Sequence, residues 1–453
     1  MITLGGCILA SDRPDLALDV PETYRAGGTI QDGAPPTLDW WRSFHSAELT
    51  ALMEEAVTVN LDIASAASRI LEADAQARMA GSSLLPLVTG NASDTRSRYS
   101  GAIPFGGGYV WPDTTTYQAS LSASYEIDFW GKNRDATLAA AESASARRFD
   151  RDVVALTTLT SVANAYFQVV AAQDRIRIAN NNIANAKRIY EAIQQRMTAG
   201  TLTNLELAQQ ESVLDNQRAT LPTLRQTLAQ NINTLATLLS RPPEMIVVQG
   251  GSLTRIASPR VTPGLPSELL LQRPDIREAE ALLASATANV GNARAQFFPS
   301  IQLTGQGGVQ SAALKTLFNP EAAFYSLTAG VTQPIFDGFQ IQSNFDYHKA
   351  RQDELLQTYR KAVMSAFADV DNALVATSQT AEKVRLLTQV ERSSRRAFDL
   401  SEQLLNSGTT DVVTVFNTQL TLFQAEDSLA QARLDHLLAA VSLFKALGGG
   451  WAP

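Results

Sequence analysis

The chain is poor in cysteine and histidine, two residues on which many metal sites and catalytic sites depend. Its one cysteine, Cys7, excludes an intrachain disulfide. Its three histidines, His45, His348 and His436, are far apart and lack metal-ligand spacing. The sequence has neither a glycine-rich phosphate loop before a helix nor a Gly-x-Ser-x-Gly nucleophile elbow. It therefore predicts a protein that is not an enzyme and that uses no cofactor or metal.

Positive charge and long apolar runs are also scarce. The net charge of −8 argues against nucleic acid as a partner, because phosphate binding relies on basic patches. No segment reaches the roughly 18 consecutive apolar residues that a membrane-spanning helix needs. Hydrophobic residues still make up 45% of the chain, enough for a folded core. If the protein enters a bilayer, it must do so as β-strands.

Two long stretches contain neither glycine nor proline. They cover residues 132–199 and 339–407. A helix of that length extends roughly 100 Å. Each stretch ends at a glycine, Gly200 or Gly408, the residue that favours a left-handed helix cap. A second helix is predicted after each glycine, over 202–240 and 410–447, so each pair forms a helical hairpin. Pro222 predicts a kink in the first return helix.

The two halves of the chain are an internal duplication. Three landmarks recur at nearly the same offset. Leu85-Pro86 matches Phe298-Pro299 at 213 residues, Gly131 matches Gly338 at 207, and Gly200 matches Gly408 at 208. A proline- and glycine-rich segment separates the halves. We divide the chain into an N-terminal anchor segment (1–20), a first repeat (21–240), a linker (241–266) and a second repeat (267–453).

Four short segments alternate apolar and polar residues, which is typical of strands with one apolar face. Strands of about 11 residues can cross a bilayer at a tilt. Four strands are too few to close a barrel, and an open edge in lipid leaves backbone amides unpaired. Other copies of the chain would have to complete such a sheet; a soluble sheet packed on helices is the alternative. The segments are about 87–99, 115–128, 300–311 and 324–335.

Aromatic residues stand where these strands end. Phe129 and Trp130 follow the second segment, Phe298 precedes the third, and Phe336 follows the fourth. Aromatic side chains at strand ends are typical of the belt at a membrane interface. They are also common in soluble cores.

Cys7 follows Leu4, Gly5 and Gly6, which is similar to the lipobox of bacterial lipoproteins. We expect its acylation to anchor the N-terminus in the membrane. Only six residues precede it, fewer than a signal peptide needs, so we expect the written start to be truncated.

Three strings carry a family resemblance. LPSELLLQRPDIR at Leu265–Arg277, YEIDFWG at Tyr125–Gly131 and the ending KALGGGW at Lys445–Trp451 resemble the TolC-like outer membrane factors, in the lipoprotein branch of NodT and OprM. The resemblance runs from about Pro21 to the end of the chain. It implies a homotrimer, in which four strands per chain form a 12-stranded barrel that continues into a long helical barrel in the periplasm, with the linker in its equatorial region.

The same resemblance implies the function. Such a protein is the outer-membrane exit duct of a tripartite pump and passively conducts drugs, toxic compounds or metal ions. Its hairpin tips meet a periplasmic membrane-fusion adaptor, which links it to an inner-membrane pump of the RND type. The duct is closed at rest and opens like an iris at the tips.

The resemblance also points to residues around the two tip glycines. Val413 falls on an apolar gate position and Asn417 on a position that is acidic in relatives, so a charge-selective gate there is in doubt; Asp411 could supply the charge. Helix capping is the alternative for Asp411 and Asn204. Candidates for contacts between hairpins or with the adaptor are Arg196, Gly200, Asn204, Asn406 and Gly408.

Two other functions remain open. One shares the fold and is an exit duct for type I protein secretion. The other is a soluble coiled-coil scaffold without a pore, for which lipid-facing residues such as Tyr117, Leu121 and Tyr125 would have no use.

Overall fold

The computed structural model describes residues 14–16, 18, 20–25, 37–98, 100 and 113–450. Within them the chain is mainly helical with one four-stranded antiparallel sheet, which confirms the predicted fold class. Cys7 lies outside the described residues, as does most of the connection between the first two strands. The elements are α1 (Ala47–Val59), α2 (Leu61–Gly81), β1 (Leu87–Ser97), β2 (Thr114–Ile127), α3 (Lys132–Thr198), α4 (Asn204–Leu238), α5 (Pro266–Gln272), α6 (Pro274–Ala295), β3 (Ser300–Ser311), β4 (Ala323–Thr332), α7 (Gln340–Asn406) and α8 (Val412–Ala446).

The described elements belong to two compact units. One comprises residues 1–17, 69–148 and 278–360, and the other comprises residues 18–68, 149–277 and 361–453. Each unit takes segments from both sequence repeats. Neither sequence repeat is therefore a compact unit by itself.

The sheet of the first unit has the order β1-β2-β3-β4, with every neighbouring pair antiparallel. The last strand stops at Thr332, three residues before the end that alternation predicts. Pro334 follows closely and has no N–H to donate to a ladder. The outer edges of β1 and β4 have no strand partner among the described residues.

Small side chains bring the helices of the first unit together. Ala139 on α3 is 4% exposed, and its carbonyl accepts a 2.7 Å hydrogen bond from Ser285 of α6. Gln352 of α7 is 1% exposed and both ends of its amide are bonded, to Thr287 and to Lys349. Alanine-rich surfaces without bulk explain this close approach.

The second unit has an aromatic core. Trp40 stacks on Phe444 with ring centroids 5.0 Å apart, and Phe44 packs against Phe167 at 5.1 Å. Residues that precede α1 are thus fixed against α3 and α8.

The string at 265–277, one of the three that carry the family resemblance, has a structural role in this unit. The guanidinium of Arg273 binds both carboxylate oxygens of Asp275, at 2.9 and 2.6 Å, and Asp369 of α7 at 3.1 Å. It also donates to the carbonyl of Ala446, at the end of α8. Burial alone would lower the pKa of Arg273, but these carboxylates raise it overall. One side chain therefore ties three segments together.

The long helices occur as predicted, with 67 residues in both α3 and α7. Helix α4 continues through Pro222. Among the described residues, α3 alone contains an 18-residue window apolar enough to span a membrane, with mean hydropathy 1.4. Because 56% of that window is buried within the chain, packing against other helices accounts for its composition.

Candidate functional site

The register of the sheet separates its side chains into an apolar and a polar face. Leu121 lies between Gly90 and Gly307, and Gly307 lies opposite Tyr325. Residues directly opposite one another share a face. Leu121 is 64% exposed, and on β4 Tyr325 and Leu327 are 84% and 82% exposed. An apolar surface this open requires a lipid or protein cover.

The opposite face carries hydroxyl and amide groups. Ser120 accepts a 3.2 Å hydrogen bond from the amide of Gln306 on the neighbouring strand. Gly308 allows the close approach of β2, because a Cβ there would stand 2.2 Å from the carbonyl oxygen of Ala119. Within the described strands, Glu126 is the only ionisable residue on this face.

Glu126 is paired with Lys132 at the point where β2 leads into α3. The Nζ of Lys132 lies 2.6 Å from Oε1 of Glu126, and each side chain is about one-third exposed. A cation in the first turn of a helix is disfavoured by the helix dipole. The pair explains why a lysine stands there, and Asp128 supplies the helix cap by accepting from the backbone N–H groups of Asn133 and Arg134. A lysine in the first turn of a predicted helix was the sequence signal for this pair, which was not predicted.

Three of the four predicted interface aromatics gather beside this pair. Trp130 stacks on Phe298 at 4.6 Å, meets Phe129 edge-on at 4.8 Å and donates from Nε1 to the carbonyl of Pro299 at 2.8 Å. A cavity of about 310 Å³ lies among these rings and the pair. Phe336 lies apart from them, 81% exposed, with Phe339 as its ring neighbour.

The two hairpin tips have the same backbone design. Gly200 and Gly408 both have φ of +75°, a conformation that favours glycine. At each tip the N–H after the glycine bonds back to a helix carbonyl: Thr201 to Arg196 at 3.0 Å and Thr409 to Leu404 at 2.9 Å. This 6→1 bond is the Schellman closure of a helix.

The first tip contacts the second within one chain. The guanidinium of Arg196 lies 3.3 Å from the carbonyl of Leu405 and 3.4 Å from Oδ1 of Asn406. A hydrogen bond between hairpins was one of the two roles that the sequence suggested for Arg196 and Asn406. Contact with an adaptor stays a prediction.

Of the two tip residues for which helix capping was the alternative, Asp411 caps a helix and Asn204 does not. Asp411 is the N-cap of α8, and its carboxylate accepts from the backbone N–H and the hydroxyl of Thr414, both at 2.7 Å. These bonds, the hydroxyl one first, lower the pKa of Asp411. Asn204 does not cap α4; Thr203 does, together with Glu206.

The predicted gate residues occupy the exposed side of α8. Val413 is 48% exposed and Asn417, one turn later, is exposed as well. Val412, Val415 and Phe416 face inward and pack with Ile193. Two residues four apart on one open helix face can both project toward a passage or a partner.

A buried polar residue in this hairpin was not foreseen. Gln419 of α8 is 0% exposed, and neither its amide nitrogen nor its oxygen has a hydrogen-bond partner among the described residues. It follows the apolar spacing of Val412, Val415 and Leu422, so a polar residue on an apolar stripe was the available sequence signal.

Comparison with known proteins shows which family the chain belongs to. The model of the outer membrane efflux protein family matches residues 52–241 and 265–449. The pyoverdine export outer membrane protein OpmQ of Pseudomonas aeruginosa is 38% identical, covering 99% of this chain and 95% of its own. The cation efflux system protein CusC of Escherichia coli is 28% identical, over 99% of this chain and 97% of its own.

A solved structure agrees over the same length. The outer-membrane channel OprN superimposes with a TM-score of 0.92 and 26% identity, over 98% of this chain and all of OprN. The scaffold alternative is therefore wrong. Matched in sequence over both repeats and in fold over nearly every residue, the chain belongs to the outer membrane efflux protein family and is an outer-membrane efflux protein.

Proposed function

We propose that three copies of this chain form the exit duct of a tripartite efflux system, which passively conducts small molecules across the outer membrane. The observation that carries this proposal is the sheet: one face is apolar and open, the other is polar, and the outer edges of β1 and β4 lack strand partners among the described residues. Lipid covers the apolar face, and water fills the space beside the polar face.

The strand directions support closure by identical copies. Neighbouring strands alternate in direction, so β4 of one copy can pair antiparallel with β1 of the next. Closure removes the unpaired edge amides, each of which costs several kcal/mol in lipid. Three copies give the 12 strands that the family resemblance implies.

The hairpin tips are the proposed contact with a periplasmic adaptor and, through it, with an inner-membrane pump. Val413 and Asn417 form the proposed gate, and Asp411 serves as the cap of α8. Acylation at Cys7 is the proposed anchor. In this proposal the duct is passive, and the inner-membrane pump supplies the energy for transport.

The cargo we favour is a secreted small molecule similar to the pyoverdine that a relative exports. The relative at 38% identity is a pyoverdine exporter, whereas the cation efflux relative is 28% identical. Both serve export of small species, which favours an efflux duct over type I protein secretion.

Two measurements test the proposal. Purified protein in detergent should run as a trimer with mixed helix and strand content and should form channels in planar bilayers. A water-soluble, monodisperse monomer would refute it. For the cargo, deletion of the gene should cause a pyoverdine-like molecule to accumulate in the periplasm and its concentration in the medium to fall. Unchanged secretion would remove this cargo assignment and leave the channel proposal intact.

A further inference from the structure

The polar face of the sheet has almost no charge of its own. Its side chains on β2 and β3 are serine, threonine and glutamine, apart from Gly308 and Glu126. Glu126 is neutralised by Lys132 at 2.6 Å. A cargo molecule that passes this face meets hydrogen-bonding groups and no net charge.

We propose that the Glu126–Lys132 pair sets the charge selectivity of the sheet-lined part of the duct by keeping its wall electrically neutral. This inference rests on the proposed function, because it needs the polar face to line the passage. The pair stands at the end of the polar face nearest to α3, so three copies would place three such pairs in a ring.

The local structure supports a role beyond fold stability. Both side chains are about one-third exposed, so neither is needed to fill a core. The helix cap is provided by Asp128, independently of the pair. Loss of Glu126 would leave an unpaired positive charge facing the passage, and loss of Lys132 would leave an unpaired negative charge.

A thiol reporter on the same face measures this charge locally, so the resistance of the closed tips does not enter. Ser124 lies two residues from Glu126 on the polar face, about 7 Å along the strand. Ser124→Cys is treated with an anionic and a cationic methanethiosulfonate reagent of similar size in outer membranes. Protein without the added cysteine gives the background rate.

The expected changes are opposite in sign. Glu126→Gln should raise the ratio of anionic to cationic reaction rates about threefold in 0.1 M salt, and Lys132→Gln should lower it about threefold. The double variant should return to the parent ratio. In 0.01 M salt the shifts should grow to about fivefold, and in 1 M salt they should nearly vanish.

A matched reporter lies on the same face at the far end of the sheet. Gln310→Cys is eight residues along β3 from Gln302, which pairs with Glu126, or about 26 Å away. Its rate ratio should not respond to either variant in 0.1 M salt.

The outcomes separate the two proposals. If the thiol at position 124 reacts but its rate ratio is the same in all variants, the pair does not control the charge of the wall. If that thiol is shielded while Leu121→Cys on the apolar face reacts with the charged reagents, the face assignment is reversed and the proposed function fails with it. Either single variant is sufficient if the other does not assemble.

Discussion

Replacing Gln419 with methionine should stabilise the second hairpin, formed by α7 and α8. The side chain is fully buried, and both polar atoms of its amide lack partners among the described residues. Because its surroundings within one chain already exclude solvent, a neighbouring copy could not reach these atoms. Methionine has a similar length and no polar group to satisfy.

The magnitude follows from the cost of an unpaired buried polar group, about 1–3 kcal/mol. We apply this range once to the whole side chain rather than once to each polar atom, because the packing can relax around the substitution. A gain of about 1–3 kcal/mol in local stability corresponds to roughly 5- to 150-fold slower hydrogen exchange through local opening.

Hydrogen exchange of peptides from α7 and α8, measured by mass spectrometry on protein in detergent, tests this. Gln352→Met is the matched control, since Gln352 is equally buried but has both ends of its amide bonded. It should accelerate exchange in its own region, because hydrogen bonds are lost. Faster exchange around position 419 in Gln419→Met would mean that its amide is satisfied in the protein, and would refute the reasoning.

Three further predictions concern other parts of the chain. Arg273→Lys should lower stability by about 1–3 kcal/mol in differential scanning fluorimetry, because lysine cannot form the bidentate bonds to Asp275. The control Arg277→Lys alters only a cation–π contact and should cost less than about 1 kcal/mol in the same assay. Asp411→Ala should speed hydrogen exchange at the backbone amide of Thr414, because the capping bond is lost. In the parent, the cap's contribution to helix stability is complete above the ordinary pKa of an aspartate. It is lost as the pH falls through the lowered pKa that Asp411 has in the folded state. Val413→Ser should raise single-channel conductance in planar bilayers, and an unchanged conductance would remove Val413 from the gate.

The sequence predicts elements whose pattern repeats over many residues. The long helices follow from the absence of glycine and proline, and their ends from Gly200 and Gly408. The faces of the strands follow from alternation. Even β1, whose pattern is interrupted by Asp94 and Arg96, pairs with β2 along its whole length. These features depend on local periodicity, which a single sequence contains.

Pairings between distant or irregular residues were harder to predict. The bond from Arg196 to Asn406 joins positions 210 residues apart, and nothing in either local pattern specifies it. Thr203 rather than Asn204 caps α4, because the helix begins at Asn204, one residue earlier than a cap at Asn204 would require. Either side chain can cap a helix, so propensity alone does not decide between them.

The duplicated hairpins have equivalent turns but different interiors. Gln210 near the start of α4 donates to the carbonyl of Ala186 at 2.9 Å, although its amide oxygen has no partner among the described residues. Neither end of the Gln419 amide, near the start of α8, has a partner among them. A turn is fixed by a glycine and a few backbone bonds, so duplication copies it readily. A buried amide needs a specific partner on another helix, and duplication does not copy it: at the offset of 208 residues set by the tip glycines, Gln419 matches Glu211 rather than Gln210. The unpartnered amide of Gln419 lowers the local stability of the second hairpin, and the proposed gate residues Val413 and Asn417 lie on the return helix of that hairpin.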